Sequence, residues 1–316
     1  MAGYEIPIER RQFMLGVVAL GAGALAPAAL RGGALRGAAA ATRTVGDLEV
    51  VALADADGPF FLTPEQAFPT ATAADWEQAR RVDPGAFGAD GSWHLDFRCF
   101  AVRSPDGRIT LIDAGVGPVG SPASAWAPVP GHLPEVLASA DIDVADVQTV
   151  VLTHAHEDHV GWSVGLDGVP MFPNARYLIQ PVEVAALEDS GDTTIVPFLI
   201  EPLRRTGQLD VIDGRTRLDG RRSRGRHSAT MTAIPTPGHT PGHQSVVVTA
   251  SSAEIVLTGD VLVHAVQLVS PDVGYVFESD QDVARDTRRK LLDRARDRRA
   301  LLATPHLNRP FVDART

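Results

Sequence analysis

Three histidines and two carboxylates fall within six positions, His154-Ala155-His156-Glu157-Asp158-His159, in a chain that holds only ten histidines. Imidazole nitrogens and carboxylate oxygens are the ligands zinc accepts, histidine most often. Side chains two apart in an extended segment point the same way, so His154 and His156 can serve one centre. Asp158 and His159 lie on the turn beyond, placed to face a second. A solvated polar loop is the plain alternative for this stretch taken alone. Three later clusters argue against it by offering matching groups: Thr236-Pro237-Gly238-His239-Thr240-Pro241-Gly242-His243, Thr258-Gly259-Asp260 and Thr304-Pro305-His306.

Each cluster directly follows a short apolar run. Val147–Leu152, Met231–Ile234, Ile255–Leu257 and Leu301–Ala303 read as strands ending where the ligand-type residues begin. Loops at strand ends are where sites tend to be built. Leu48–Ala54, Phe97–Val102, Ile109–Ile112, Arg176–Ile179 and Ser245–Val248 are further strands, and Ser104-Pro105-Asp106-Gly107 is a hairpin turn. His132–Ala140 predicts a helix, Pro181 suits a first helical position, and Asp280–Arg298 predicts a long helix, acidic at its start and basic at its end. Residues 56–92, rich in Pro, Gly and Ala, carry no firm assignment. Strand pairs followed by helices, twice over, imply a layered α/β domain with two sheets inside and helices outside.

With 316 residues, 44% of them hydrophobic, the chain can bury a substantial core. Its formal charge of −10 disfavours nucleic-acid binding, which calls for a basic face. The single cysteine, Cys99, can form no intramolecular disulfide and reads as an inert buried residue. Nothing after residue 45 resembles a membrane-spanning helix. Residues 1–41 read as a leader. Arg10-Arg11-Gln12-Phe13-Met14-Leu15 resembles the twin-arginine export motif, an apolar run follows, and Ala38–Ala41 offers a cleavage region. Export to the periplasm or beyond is therefore expected, with 42–316 as the mature domain and no stable membrane insertion after cleavage. Removing four arginines and two glutamates would leave that domain two charges more negative than −10.

In combination and in order, His-x-His-x-Asp-His, Thr-Pro-Gly-His-Thr-Pro-Gly-His, Thr-Gly-Asp and the late histidine resemble the metallo-β-lactamase superfamily over roughly residues 47–306. Ile112-Asp113-Ala114-Gly115 resembles its first motif, with Asp113 supporting the ligand loop. Phe172–Tyr177 and Gly259–His264 look like the lactonase and methyl-parathion-hydrolase-like branch. The resemblance implies a four-layer αββα sandwich and a dinuclear zinc-dependent hydrolase, with Mn²⁺, Co²⁺ or Fe as other occupants. Carried over by position, His154, His156 and His239 would hold the first metal, Asp158, His159 and His306 the second, and Asp260 would bridge both. A hydroxide between the metals would be the nucleophile, and Asp158 or Asp260 would pass a proton to the leaving group.

Homoserine-lactone lactonases carry a tyrosine shortly after the bridging aspartate. Here Val261-Leu262-Val263-His264 stands there, and the next tyrosine is Tyr275. His264 is therefore a candidate catalytic group, able to hydrogen-bond substrate in place of the tyrosine, with packing as the alternative. His243 is expected behind the ligands. His94, His132 and His227 are expected in surface or structural roles, and Trp76, Trp93, Trp126 and Trp162 in the core. Two dications set against Asp158, Asp260 and a hydroxide leave the inner site only weakly positive. No Arg or Lys adjoins the ligand motifs, although Arg98, Arg176 or Arg309 could reach the pocket mouth through folding. Small neutral or singly charged esters, lactones or phosphotriesters are the expected substrates. The alternatives are a β-lactam-cleaving hydrolase on the same fold and an iron-binding redox member. His156 disfavours the latter, which usually has Glu there.

Overall fold

The computed structural model describes residues 41–218 and 228–316. Residues 1–40, on which the expected leader falls, His227 and the Arg-rich stretch 220–226 lie outside the described residues. Two sheets dominate. The first has seven strands in sequence order: β1 (Thr42–Val45), β2 (Leu48–Pro59), β3 (His94–Arg103), β4 (Ile109–Ile112), β5 (Val147–Val151), β6 (Arg176–Ile179) and β7 (Leu209–Val211). The second has six, ordered β13-β12-β11-β10-β9-β8, from β8 (Thr216–Arg217), β9 (Thr230–Pro235), β10 (Gln244–Thr249), β11 (Glu254–Leu257), β12 (Leu301–Ala303) and β13 (Phe311–Asp313).

Alternation along the strands explains the layering, because successive side chains point to opposite faces. Val50 and Ala52 of β2 join Val246 and Val248 of β10 and Ile255 and Leu257 of β11 in one core between the sheets. Their neighbours Val51 and Leu53 face outward, where Leu133, Leu137, Val184 and Leu203 cover them from helices Leu133–Ser139, Pro181–Asp189 and Glu201–Arg205. On the far face of the second sheet, Val247, Val256 and Leu302 meet Trp76, Val266, Leu291 and Leu292. These come from helices Ala73–Val82, Ala265–Val269 and Gln281–Arg298. The result is an αββα sandwich. Burying each such aliphatic side chain stabilises the fold by roughly 1.5–3 kcal/mol relative to exposure.

The unassigned segment 56–92 contains two capped helices. Thr63 and Gln66 form a reciprocal capping box at Pro64–Ala67, and Thr72 and Asp75 form another at Ala73–Val82. Strand β2 also runs past its expected end. A bulge at Asp55 shifts its register on β3, so that Ala56 opposite Phe97 joins the core of the second layer rather than the first. Asp280 caps the long helix by accepting from the amides of Asp282 and Val283, and Arg299 ends it in the left-handed conformation. No described helix is long and apolar enough to cross a membrane.

Candidate metal centre

The parallel pair β4–β5 brings Asp113 and Thr153 side by side at one end of the first sheet. Across from them, β9, β11 and β12 are followed by Thr236, Thr258 and Thr304, so five strand ends converge. There His154, His156, His239 and Asp260 form one group of close ligand atoms, and Asp158, His159 and His306 form a second. Asp260 faces both. Its Oδ2 lies 3.2 Å from His239 Nε2 and 3.8 Å from His154 Nε2. Its Oδ1 lies 3.2 Å from His159 Nε2 and 3.1 Å from His306 Nε2. Asp158 Oδ2 sits 3.5 Å and 3.6 Å from the same two nitrogens.

The rings are held from behind. His159 Nδ1 lies 2.8 Å from Asp113 Oδ2, His306 Nδ1 lies 2.9 Å from the Asp96 carbonyl, and His154 Nδ1 lies 3.0 Å from Thr153 Oγ1. Each contact fixes a ring so that Nε2 points into the cluster. Asp113 also accepts from the Thr153 amide and hydroxyl at 2.7 and 2.9 Å, and it holds a left-handed φ of 62° to do so. His243 sits behind Asp260, whose amide donates to His243 Nε2 at 2.9 Å. That bond needs Gly259: its φ is +52°, and a Cβ there would lie 2.6 Å from His243 Nε2. His243 stays neutral, because burial, reinforced by His239, pushes its pKa down to about 3.

Burial resists charge on His159, yet Asp260, Asp158 and Asp113 outweigh it and hold its pKa well above the usual histidine value. His306 is raised in the same way, with Asp260 and Asp158 outweighing burial. His154 goes the opposite way, pushed well down by burial and then by His159 and His156. Burial also opposes charge on Asp260, but His159, His306 and His239 hold its carboxyl well below the usual carboxylate range. A dication would take the same imidazole nitrogens, so metal uptake would be coupled to release of any proton held there. Among the proposed ligands, His154 Nε2 and His239 Nδ1 are buried with no hydrogen-bond partner among the described residues. Imidazoles aimed inward, carboxylates between them and orphaned lone pairs are the chemistry of a divalent-metal site rather than of a packed core.

A run of rings leads away from the cluster. Phe97 lies 5.6 Å from His306 and 5.8 Å from Trp126, and Trp126 lies 5.7 Å from Phe60 and 6.2 Å from Phe61. Phe277 follows, 6.0 Å from Phe61 and 5.4 Å from Tyr275, and Tyr275 stacks on His239 at an interplanar angle of 4°. Phe61 is 41% exposed, so this wall opens to solvent.

His264 lies elsewhere in its contacts. Its Nδ1 accepts from the Val266 amide at 3.0 Å, capping helix Ala265–Val269. Phe68, Trp76, Phe87 and Trp93 surround its ring at 5.2–5.5 Å. Burial, then Arg80, push its pKa down to about 3. These contacts favour the packing alternative for His264 and add a capping role. Trp93 and Trp76 are buried, Trp162 donates to Asp55 at 3.0 Å, and half-buried Trp126 packs against the core while also joining the aromatic wall. Arg98 is spent inside the fold on Asp96 and on the Thr304 and Leu307 carbonyls that flank His306. Arg176 pairs with Asp210 at the opposite end of its strand, and Cys99 is buried.

A family model described as the metallo-beta-lactamase superfamily matches residues 98–306. The uncharacterized protein YobT of Bacillus subtilis is 29% identical over 177 residues, 52% of this chain and 64% of that protein. The N-acyl homoserine lactonase AttM of Azorhizobium caulinodans is 31% identical over 192 residues, 55% of this chain and 66% of that protein. The matches thus span just under two thirds of these curated relatives. Among solved structures, hydrolase AbOPH of the beta lactamase superfamily superposes with a TM-score of 0.71 at 22% identity, covering 87% of this chain and 93% of that one. AidC, a dizinc quorum-quenching lactonase, superposes with a TM-score of 0.69 at 22% identity, covering 86% and 91%. At such identity these likenesses establish the fold.

Proposed function

This chain belongs to the metallo-β-lactamase superfamily, and from that premise we propose that it is a dinuclear zinc-dependent hydrolase of neutral or singly charged lactones, esters or phosphotriesters. The observation that carries the reading is the division of Asp260, one oxygen toward His154 and His239 and the other toward His159 and His306. His154, His156 and His239 would hold one ion, Asp158, His159 and His306 the other, and Asp260 both. A pair of divalent cations supplies Lewis acidity toward a carbonyl or phosphoryl oxygen, and a water acidic enough to act as nucleophile near neutral pH.

The chain's own residues do the rest. Asp113, the Asp96 carbonyl and Thr153 orient the imidazoles. His243 holds the backbone of Asp260. Asp260 is committed to both groups, so Asp158 is the better carboxylate for passing a proton to the leaving oxygen; among its described contacts only Oδ2 faces the cluster. The aromatic wall from Phe97 to Phe277 supports an apolar or aryl substituent on the substrate. Arg98 and Arg176 are engaged elsewhere, which supports weak binding of polyanions. The negative net charge adds long-range repulsion. Export by the twin-arginine route is part of the same proposal.

The test is one panel on the purified protein: a neutral lactone, an aryl ester, a phosphotriester, a β-lactam, a phosphomonoester and an oligonucleotide. The expected result is a clear kcat/KM gap in favour of the first three. Faster turnover of the phosphomonoester or oligonucleotide at moderate salt would overturn the substrate class.

A further inference from the structure

The two histidine loops of the first group come from different sheets, His154 and His156 after β5 and His239 between β9 and β10. One side chain bonds to both loops. Glu183, in the first turn of helix Pro181–Asp189 and 3% exposed, accepts from the Ala155 amide with Oε1 and from the Gly242 amide with Oε2, each at 2.9 Å. Ala155 stands between His154 and His156, and Gly242 stands three residues after His239.

The helix start is pressed against the second loop. A Cβ on Gly242 would lie 2.3 Å from the Glu183 amide nitrogen and 2.6 Å from its Cα, so only glycine allows this approach. A neighbouring tie crosses the same gap: Gln180 donates to Gln244 Oε1 at 2.8 Å, and the Gln244 amide donates to the Thr153 carbonyl at 2.8 Å. That tie reaches Thr153 and Gln244, outside the spans between the ligands, whereas the Glu183 carboxylate reaches the segment between His154 and His156 itself.

We propose that Glu183 is a positioning residue that fixes the spacing of His154 and His156 relative to His239, and so sets the metal affinity of that group in particular. The inference rests on the reading that His154, His156 and His239 hold an ion. Glu183 does not touch that ion; it acts through two backbone amides. A carboxylate is suited to the task because both oxygens only accept, and charge strengthens both bonds. Glutamine keeps the volume but offers one oxygen and one NH₂, so one of the two amides would meet a donor. Partners that orient metal ligands typically carry about 10–100-fold of metal affinity. In the other group, His159 and His306 are held by Asp113 and the Asp96 carbonyl, so that group should feel much less.

The experiment titrates the metal-stripped full chain with Zn²⁺ against a chromophoric chelator. It compares wild type, Glu183→Gln, Glu183→Ala, His239→Ala, the Glu183→Gln/His239→Ala double variant and a core control, Leu137→Ala, with stability measured on each. The expected result is two zinc equivalents in wild type, one of which weakens about 10–100-fold in Glu183→Gln while the other stays nearly unchanged. The weakened equivalent should be the one His239→Ala removes, and Glu183→Gln should cost nothing further in the His239→Ala background. Leu137→Ala should lose stability without that selective weakening. Glu183→Ala should weaken the same equivalent at least as much, and if it does not fold, Glu183→Gln decides. Two unchanged equivalents in Glu183→Gln, or equal weakening of both as the control also shows, would overturn the clamp alone. A wild type that takes up no zinc would instead overturn the metal-centre reading beneath it.

Discussion

Asp55→Asn should remove one contribution to stability that declines between about pH 4 and 6. Asp55 sits at the bulge of β2, fully buried. Its carboxylate accepts from the amides of Val116 and Leu133 at 2.6 and 2.7 Å and from Trp162 Nε1 at 3.0 Å. Those three donors favour the charged form, but burial outweighs them and raises the pKa from 3.8 to about 6. At 1.36 kcal/mol per unit, a shift of about two units corresponds to about 3 kcal/mol. The sign follows from proton binding. Between about pH 4 and 6 the folded chain keeps a proton that the unfolded chain has released. The Asp55 contribution is therefore most favourable below about pH 4, declines as pH rises toward 6, and is constant above. Asparagine cannot titrate. The stability of wild type relative to Asp55→Asn should fall by about 2 kcal/mol from pH 4 to pH 7, with the rest of the difference lost below pH 4. Urea unfolding at half-unit pH steps, with chelator throughout, gives this difference while titrations common to both proteins cancel. A difference that stays flat, or that rises with pH, would refute the reasoning.

Three further outcomes are expected. Asp113→Ala removes the partner of His159 Nδ1 and of Thr153, and should weaken zinc binding by about 10–100-fold in a chelator competition; unchanged affinity would contradict the supporting role. His264→Ala should cost about 2–4 kcal/mol in thermal or urea unfolding through a lost cap and a cavity, with full metal content by elemental analysis. Lost turnover in a stable, fully loaded His264→Ala would restore a chemical role. Replacing Arg10 and Arg11 together with lysine should leave the precursor in the cytoplasm in a fractionation assay, and normal export would refute the twin-arginine reading.

Much of the site was legible because its chemistry is local in sequence. Each ligand-type cluster follows an apolar run, and those runs proved to be strands β5, β9, β11 and β12. Ile109–Ile112 and Leu301–Ala303 were assigned to the residue, since a short buried strand bounded by turns has few other forms. Residues 56–92 hid their helices behind Pro and Gly, although Thr63-x-x-Gln66 and Thr72-x-x-Asp75 carried a capping signal. The edge strands β1, β7, β8 and β13 are two to four residues long, too short for periodicity to show. What sequence could not give is the set of contacts between distant segments. Asp55 to Leu133, Glu183 to Gly242 and Arg98 to Leu307 span 78, 59 and 209 positions. The two readings of His264 could not be separated in sequence for the same reason: its position after Asp260 pointed to substrate, but its ring is enclosed by Phe68 and Trp76 from a segment with no assigned structure.

The central claim is that seven residues beyond four strand ends hold two metal ions that are required for hydrolysis. Its most direct test is the metal content of the purified protein and of Asp260→Ala, read by elemental analysis beside turnover of a neutral lactone or aryl ester. The account predicts two divalent ions per wild-type chain, predominantly zinc. Activity should be abolished by chelation and partly restored by Zn²⁺, Mn²⁺ or Co²⁺, and Asp260→Ala should lose most of both metal and turnover. A metal-free wild type with full activity would contradict it.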